Sequence, residues 1–548
     1  MMSFNSLEDK ISHARSVKHS LPPLPFTIVS LLKKGIENSS SFLTYLDQNG
    51  NRVEFSYREF YEMVLATAHF YQSQGLQVGD KIATISHNHW QTVVQYFAAW
   101  FCGLVIVPVN IGEDDNRIEY ILKNAEVKLA LVRDSYLSRI EDICALPELN
   151  AVKLIECGES LTSFSLAEGV LKEPSFDIDT EALIVFTSGT TGNPKGVVLS
   201  QKNLLEDARS ISEWHQITAE TRMMCVLPIH HVNGTVVTLL TPFYTGASTV
   251  LIEKFKVEQF FPTIEKEKVH IVSVVPTLLQ YLTSYYGDKA LPKLEDFKHM
   301  ICGAGPLTIN VAKNFEALFG KPIVHGYGLS ETTCYSCFLP LNLSLKEHQS
   351  WMYDFGFPSI GVPISANEMD IHDEFGKSVA EGERGEIVVR GVNVMKRYFN
   401  NIEANEEAFT HGWFRTGDEG FYKKDKNGDA YFFITGRLKE LIIRGGMNFA
   451  PLEIDEVINQ APGVKAAIAV GFENDWYGEE VGAYVQLKEG ATENEEAILT
   501  YCHEHLPFAK APKVVVFGEE IPVTSTGKYQ RRKVAHLFQA WKEVQFRK

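Results

Sequence analysis

The chain has 548 residues, too many for a single hydrophobic core, so we expect two or more domains. Hydrophobic residues make up 45% and charged residues 22%, the proportions of an ordinary soluble globular protein. The 52 basic residues stand against 69 acidic ones, and the net charge of −17 argues against a nucleic acid as a general partner.

The start of the chain shows no basic segment followed by an apolar stretch, so we expect no signal peptide and a cytoplasmic protein. Helical and strand patterns then alternate, which predicts an α/β fold with largely parallel sheets. Residues Tyr57–Gln74 have the pattern of an amphipathic helix, and Lys81–Ile85 that of a strand.

The stretch Val93–Val109 is nearly all apolar and mimics a membrane span. Gly103 and Pro108 interrupt it, so we predict a buried helix that ends near Cys102, then a strand over Leu104–Val109. We therefore expect no integral membrane segment.

Further along, Val269–Val275 reads as a strand stopped by Pro276, with a helix from Thr277 onward. The polar segment Lys423–Asp429 predicts a turn between two aromatic strands. The eight cysteines show no disulfide spacing, and the lone CxxC at Cys334–Cys337 is weak as a zinc site, so we expect reduced thiols.

The most informative segment is the hydroxyl-rich loop Thr187–Gly196, which stands between two apolar runs and is followed by Ser200, a natural helix N-cap. Such a loop between two strands offers N–H groups and hydroxyls to a polyphosphate, and Lys195 adds a positive charge. It is not a Walker A loop, because its lysine sits in Pro-Lys-Gly. Taken alone, the loop is also compatible with a Gly/Thr linker that binds no ligand.

This loop is very similar to the nucleotide-binding signature of the adenylate-forming superfamily, which includes acyl- and aryl-CoA synthetases. Six further segments resemble the other motifs of that superfamily and follow in its order: Pro228–Gly234, Gly303–Leu307, Gly326–Thr332, Gly412–Asp418, Gly436–Glu440 and Pro522–Lys528. The resemblance spans roughly residues 25–535. It implies an α/β protein with a large N-terminal domain of mixed and parallel sheets with flanking helices (1–436), and a small mobile α+β C-terminal domain (437–548) hinged near Lys439.

The resemblance also implies ATP, Mg²⁺ and coenzyme A as cofactors. It assigns Mg²⁺ to Glu331 and Thr187, the ribose to Asp418, and the same sugar or a phosphate to Arg437. The residues it implies in contact with ATP or coenzyme A are Thr187, Ser188, Gly189, Thr190, Thr191, Gly192, Lys195, Gly303, Ala304, Gly326, Tyr327, Gly328, Ser330, Asp418, Arg437, Gly445 and Gly446.

Four residues are implied in the reaction itself. Lys528 would bridge the carboxylate and the α-phosphate, Glu331 would hold the metal, and Lys439 would be the hinge of a rotation that brings Gly445 and Gly446 to the thiol channel. His231 would stand between the acid pocket and that channel. We predict a structural role for the neighbouring His230, because adjacent residues of a strand face opposite sides.

The predicted activity is that of an AMP-forming acid:CoA ligase. The mixed candidate pocket residues favour a medium-chain fatty or aryl acid. The segment Pro228–Gly234, which resembles the acid-pocket motif of the superfamily, contains no aspartate, and this argues against an amino acid substrate. An enzyme that loads an acyl carrier protein, a catalytically silent nucleotide-binding homologue and a homodimer all stay open.

Overall fold

The computed structural model describes residues 4–158, 172–173, 175–187, 193–524 and 529–547. Helices and strands alternate along this part of the chain, as predicted. The helices are α1 (Leu7–Ala14), α2 (Ile28–Lys34), α3 (Tyr57–Ser73), α4 (Trp90–Cys102), α5 (Asp115–Asn124), α6 (Leu137–Cys144), α7 (Gln201–Trp214), α8 (Thr241–Thr245), α9 (Phe260–Glu267), α10 (Pro276–Tyr286), α11 (Ile309–Phe319), α12 (Leu345–Tyr353), α13 (Ile402–Ala408), α14 (Pro451–Ile458), α15 (Glu495–His505) and α16 (Arg532–Ala535).

The strands are β1 (Ser41–Leu46), β2 (Arg52–Ser56), β3 (Lys81–Ile85), β4 (Val105–Val109), β5 (Val127–Arg133), β6 (Lys153–Cys157), β7 (Glu181–Thr187), β8 (Lys195–Ser200), β9 (Arg222–Cys225), β10 (Ser248–Ile252), β11 (Ile271–Val274), β12 (His299–Cys302), β13 (Ile323–Tyr327), β14 (Cys337–Phe338), β15 (Ser359–Pro363), β16 (Asn367–His372), β17 (Gly385–Gly391), β18 (Arg397–Tyr398), β19 (Phe414–Lys424), β20 (Ala430–Arg437), β21 (Ile442–Arg444), β22 (Met447–Phe449), β23 (Val464–Asn474), β24 (Gly478–Leu487) and β25 (Val514–Phe517).

The described strands form three sheets. The largest has the order β16-β17-β19-β20-β15-β14-β13-β12-β11-β9-β10-β1-β2, and a second has the order β18-β8-β7-β4-β3-β5-β6. Both mix parallel and antiparallel neighbours, with parallel runs such as β10-β9-β11-β12-β13 in the first and β7-β4-β3-β5-β6 in the second. The third sheet, β22-β21-β24-β23 with β25 beside β24, belongs to the C-terminal part. This is the predicted α/β architecture.

The apolar stretch 93–109 lies in the interior as a helix and a strand, which confirms the prediction. Helix α4 begins at Trp90 and ends at Cys102, where Gly103 takes the left-handed conformation (φ 69°) that closes many helices. Strand β4 follows and is buried throughout between β3 and β7. None of the described helices is both long enough and apolar enough to cross a membrane.

The other predicted elements are also found. Strand β3 has the predicted bounds, and helix α3 covers all but the last residue of its prediction. The strand predicted at 269–275 is shorter, Ile271–Val274, and Pro276 opens helix α10 as its first residue, where a missing N–H costs nothing. The polar turn after Lys424 joins the antiparallel strands β19 and β20. All eight cysteines are buried and free.

Candidate active site

The two strands that border the predicted phosphate loop are an antiparallel pair. Thr187 at the end of β7 lies opposite Lys195 at the start of β8, and its hydroxyl donates to the Lys195 carbonyl at 3.4 Å. The predicted phosphate-binding residues Ser188, Gly189, Thr190, Thr191 and Gly192 lie outside the described residues. The pairing of Thr187 with Lys195 nevertheless places both ends of the loop side by side.

Tyr398 connects the loop lysine to the predicted metal ligand. The ammonium of Lys195 lies 4.9 Å from the centre of the Tyr398 ring, and the Tyr398 hydroxyl donates to Oε1 of Glu331 at 2.8 Å. Strand β18 holds this tyrosine by pairing with β8, where Tyr398 stands opposite Val197. Burial, and next the neighbouring Glu331 carboxylate, raise the pKa of Tyr398 well above its usual value, so its hydroxyl stays a donor.

Glu331 is suited to a hard cation. It lies on a single turn of 3₁₀-helix (Ser330–Thr332), its side chain is buried, and no lysine, arginine or histidine of the described residues forms an ion pair with it. A buried carboxylate needs a positive partner. Among the described residues no three acidic, histidine or cysteine side chains form a metal cluster. One carboxylate with substrate phosphates is a common Mg²⁺ environment, so the residue fits its predicted role.

Backbone strain accompanies this turn. Thr333, directly after it, has φ 67° and ψ −57°, a conformation that a β-branched residue rarely adopts. Its hydroxyl donates to the Asn393 carbonyl, and the Glu331 carbonyl accepts from Met395 N at 2.8 Å. These bonds to the segment before β18 hold the Glu331 carboxylate in place.

The predicted ribose ligand Asp418 is buried and contacts two other side chains, the buried Tyr327 and the partly exposed Arg437. Asp418 and Arg437 are direct cross-strand neighbours of β19 and β20, with Oδ1 of Asp418 3.1 Å from Nε of Arg437. Oδ2 accepts from the Tyr327 hydroxyl at 2.6 Å. Oδ1 is buried and has an ion-pair partner but no hydrogen bond of good geometry, so it keeps the capacity to accept a ligand hydroxyl.

We expect Asp418→Asn to raise the KM for ATP about tenfold, since one charge-assisted hydrogen bond is lost while the shape is kept. Steady-state kinetics at varied ATP would measure this, with the exposed Asp288→Asn as the matched control. An unchanged KM for ATP in a folded variant would contradict the ribose assignment.

Three of the glycines predicted to line the nucleotide site, Gly303, Gly326 and Gly328, leave no space for a side chain. A Cβ built on Gly303 would lie 2.6 Å from the Tyr335 hydroxyl oxygen, and one on Gly326 would overlap the Phe338 ring of β14. One on Gly328 would overlap the backbone of Cys334 and Tyr335. Ala304, between Gly303 and Gly305, has φ 64°, which is strained for a residue with a side chain. A side chain at any of these three glycines would therefore overlap its neighbours.

The acid-pocket motif does not form the predicted strand. Strand β9 ends at Cys225, and His230 and His231 lie in a turn that leads into a π-helix, Asn233–Leu240. Their rings are 4.4 Å apart, so the prediction that they face opposite sides is wrong. The reason is tertiary: the Asn88 side chain accepts from Ile229 N and donates to Leu227 O, and it holds the chain out of the sheet.

The two histidines differ in their surroundings. Burial lowers the pKa of His230 to about 4, so its ring is neutral at pH 7, and its Nε2 atom is buried without a hydrogen bond. The His231 carbonyl accepts from Thr235 N at 3.0 Å, so His231 lies at the start of the helical segment that contains the π-helix. π-helical turns often occur at functional sites.

Asn233 of the acid-pocket motif forms a buried polar triangle with Ser273 and Tyr335. Asn233 donates from Nδ2 to the Tyr335 hydroxyl at 3.3 Å and accepts on Oδ1 from the Ser273 hydroxyl at 2.8 Å. All three side chains are buried. Because Tyr335 also fills the space beside Gly303, the triangle lies between the acid-pocket motif and the Gly303–Ala304 segment.

The C-terminal residues implied in the reaction are only partly described. Lys439 lies in a 3₁₀ turn between β20 and β21, and its ammonium is 3.4 Å from Glu407 in an exposed ion pair. Gly445 and Gly446 form the turn between β21 and β22, with φ of 57° and 82°. Lys528 lies outside the described residues. Its neighbour Tyr529 is bonded to the Gln280 side chain of α10.

Comparison with known proteins identifies the family of the chain. Residues 39–399 match the AMP-binding enzyme family and residues 453–528 the AMP-binding enzyme C-terminal domain. A sulfoacetate–CoA ligase of Cupriavidus necator is 33% identical over 85% of this chain and 89% of its own. An oxalate–CoA ligase of Arabidopsis thaliana is 30% identical over 86% and 91%. The chain therefore belongs to the AMP-binding enzyme family, in its branch of AMP-forming acid–CoA ligases.

The cofactors of this branch are ATP with Mg²⁺ and coenzyme A. Among solved structures, ATP-bound MatB of Rhodopseudomonas palustris superposes with a TM-score of 0.83 at 25% identity, over 94% of this chain and 100% of that one. Apo MatB superposes with a TM-score of 0.71 at 26% identity, over 94% and 99%. The present arrangement of the chain is thus more similar to the ATP-bound form.

Proposed function

We propose that this enzyme joins a short carboxylic acid with a second polar or anionic group to coenzyme A. The observation that carries the proposal is the buried triangle of Asn233, Ser273 and Tyr335 beside the acid-pocket motif. At the end of the acid pocket, this triangle would offer hydrogen bonds to a polar group of the acid. The sulfoacetate and oxalate ligases among the relatives are named for acids of this kind.

In the first half-reaction the acid carboxylate attacks the α-phosphorus of ATP, the α–β bond breaks, and an acyl-adenylate and pyrophosphate form. Two anions must meet in line, so the site has to supply positive charge and position. Lys195 serves the outer phosphates, Asp418 and Arg437 the ribose, and Lys528 the carboxylate and α-phosphate. Glu331 would hold Mg²⁺, which would supply further positive charge at the phosphates.

In the second half-reaction the coenzyme A thiol attacks the acyl carbon, a thioester forms, AMP leaves and the thiol proton is released. Rotation about Lys439 would bring the Gly445–Gly446 turn to the pocket for this step. His230 and His231 belong to the acid-pocket motif, and the neutral His230 ring places no positive charge there.

Matched pairs of acids would test the substrate class. Sulfoacetate and 3,3-dimethylbutanoate have similar shape but differ in the polar end, as do malonate and 3-methylbutanoate. Octanoate and benzoate represent the medium-chain and aryl acids predicted from the sequence. We expect pyrophosphate release to favour the polar member of each pair. A preference for octanoate or benzoate would contradict the proposal and favour the earlier prediction.

The triangle itself gives a sharper test. Tyr335→Phe removes one hydroxyl and keeps the ring that packs on Phe338, so we expect kcat/KM for the polar acid to fall about tenfold and that for its apolar partner to stay within twofold. Tyr61→Phe, on helix α3, is the matched control. Equal losses for both acids would show that the hydroxyl supports the fold and does not read the substrate.

The acceptor needs its own measurement. If the adenylate forms but coenzyme A never receives the acyl group, a phosphopantetheinylated acyl carrier protein is the acceptor, and the same assay with such a protein would show it.

A further inference from the structure

A carboxylate from the C-terminal sheet region caps a helix of the N-terminal part. Glu456 lies on α14, and its two oxygens accept from the backbone N–H groups of Ile309 and Asn310, at 3.0 and 3.1 Å. These are the first two residues of helix α11, whose N-cap Thr308 serves Val311 N. Three of the four free N–H groups at this helix start are thereby satisfied, two of them by Glu456.

The contact between Glu456 and helix α11 joins the two parts of the chain at a defined point. Glu456 is half-buried, and no cationic side chain among the described residues pairs with it. Burial raises its pKa, while the two amide hydrogen bonds act in the opposite direction. An anion at a helix start is favoured by the aligned peptide dipoles, so the helix replaces a cation as the partner.

The docked helix is next to the predicted nucleotide site. Helix α11 begins two residues after the segment Gly303–Leu307. The neighbouring helix α10 forms a hydrogen bond with Tyr529 through its Gln280 side chain. The contact of Glu456 and the residue that follows Lys528 therefore lie on the same side of the N-terminal part. An ion pair also reaches the same α14, with Arg384 3.6 Å from Glu453.

In this arrangement the apolar residues beside the turn implied in the thiol channel are exposed. Ile443 and Met447, which flank Gly445 and Gly446, are 52% and 51% exposed. An apolar turn that lines a channel would be covered. The arrangement with Glu456 docked is thus one in which this turn is not engaged.

We infer that Glu456 is a positioning residue that holds the C-terminal domain in the arrangement for adenylate formation, by capping helix α11. The inference rests on the proposed two-step function. Rotation for the thioester step must break both hydrogen bonds, so the strength of this cap sets how the enzyme divides its time between the two steps.

Three variants test the inference. Glu456→Ala removes both acceptors and Glu456→Gln keeps one, while the exposed Glu504→Gln on α15 is the matched control. We expect the single-turnover rate of pyrophosphate release to fall roughly tenfold in Glu456→Ala, less in Glu456→Gln and not at all in the control. The assay uses ATP, Mg²⁺ and the acid that is best for the wild-type enzyme. Transfer from the corresponding supplied acyl-adenylate to coenzyme A should stay within twofold.

A second readout does not depend on the acid. Amide hydrogen exchange at the start of α11 should be faster in Glu456→Ala than in the wild-type and control proteins. Unchanged exchange, or equal losses in both half-reactions of a folded variant, would overturn the inference. Failure of the proposed function would look different, since the wild-type enzyme itself would then release no pyrophosphate with any acid while the exchange difference remained.

Discussion

Replacing Lys528 with alanine should lower the rate of acid-dependent pyrophosphate release by about 10²–10³-fold. The reason is electrostatic: a single donor placed where charge develops between the carboxylate and the α-phosphate contributes on this scale. A pre-steady-state assay of pyrophosphate with ATP, Mg²⁺ and the best acid would measure it. The exposed Lys533→Ala, five residues along, is the matched control.

The same Lys528→Ala variant should still transfer an acyl group to coenzyme A when the acyl-adenylate is supplied ready-made. This retained half-reaction separates a chemical role from damage to the fold. If both half-reactions fail equally in a variant that melts like the wild-type protein, the assignment of Lys528 to the first step is wrong.

Glu331→Gln should lower adenylate formation about 10²-fold and raise the Mg²⁺ concentration needed for half-maximal rate. The amide keeps an acceptor for the Tyr398 hydroxyl but removes the charge that the cation needs. A Mg²⁺ titration of pyrophosphate release measures both effects, with the exposed Glu62→Gln as control. A lower rate with an unchanged Mg²⁺ dependence would leave Glu331 with a structural role only.

Local patterns predicted the elements well where short-range chemistry decides them. Strand β3, the helix that ends before Gly103 and the helix opened by Pro276 follow from apolar runs bounded by glycine or proline. Asp418 and Arg437, which the resemblance assigns to the same sugar, are cross-strand neighbours in the β19–β20 hairpin. Their shared ligand stays a prediction.

Sequence reasoning failed where distant residues decide the geometry. The turn at His230–His231 depends on the Asn88 side chain, more than 130 positions earlier, so an alternation pattern could not reveal it. Tyr398 was missed because its two-residue strand has no periodic signal, and its importance comes from Lys195 and Glu331. The contact of Glu456 with α11 likewise depends on how the two parts of the chain pack.

The most direct test of the account is the nucleotide product of the reaction. Wild-type enzyme with ATP, Mg²⁺, coenzyme A and sulfoacetate or malonate should form one AMP and one pyrophosphate for each thioester, and without coenzyme A it should form acyl-adenylate and pyrophosphate. ³¹P NMR distinguishes these products from ADP and phosphate. Formation of ADP and phosphate with the thioester, or ATP cleavage that does not depend on any acid, would contradict the account.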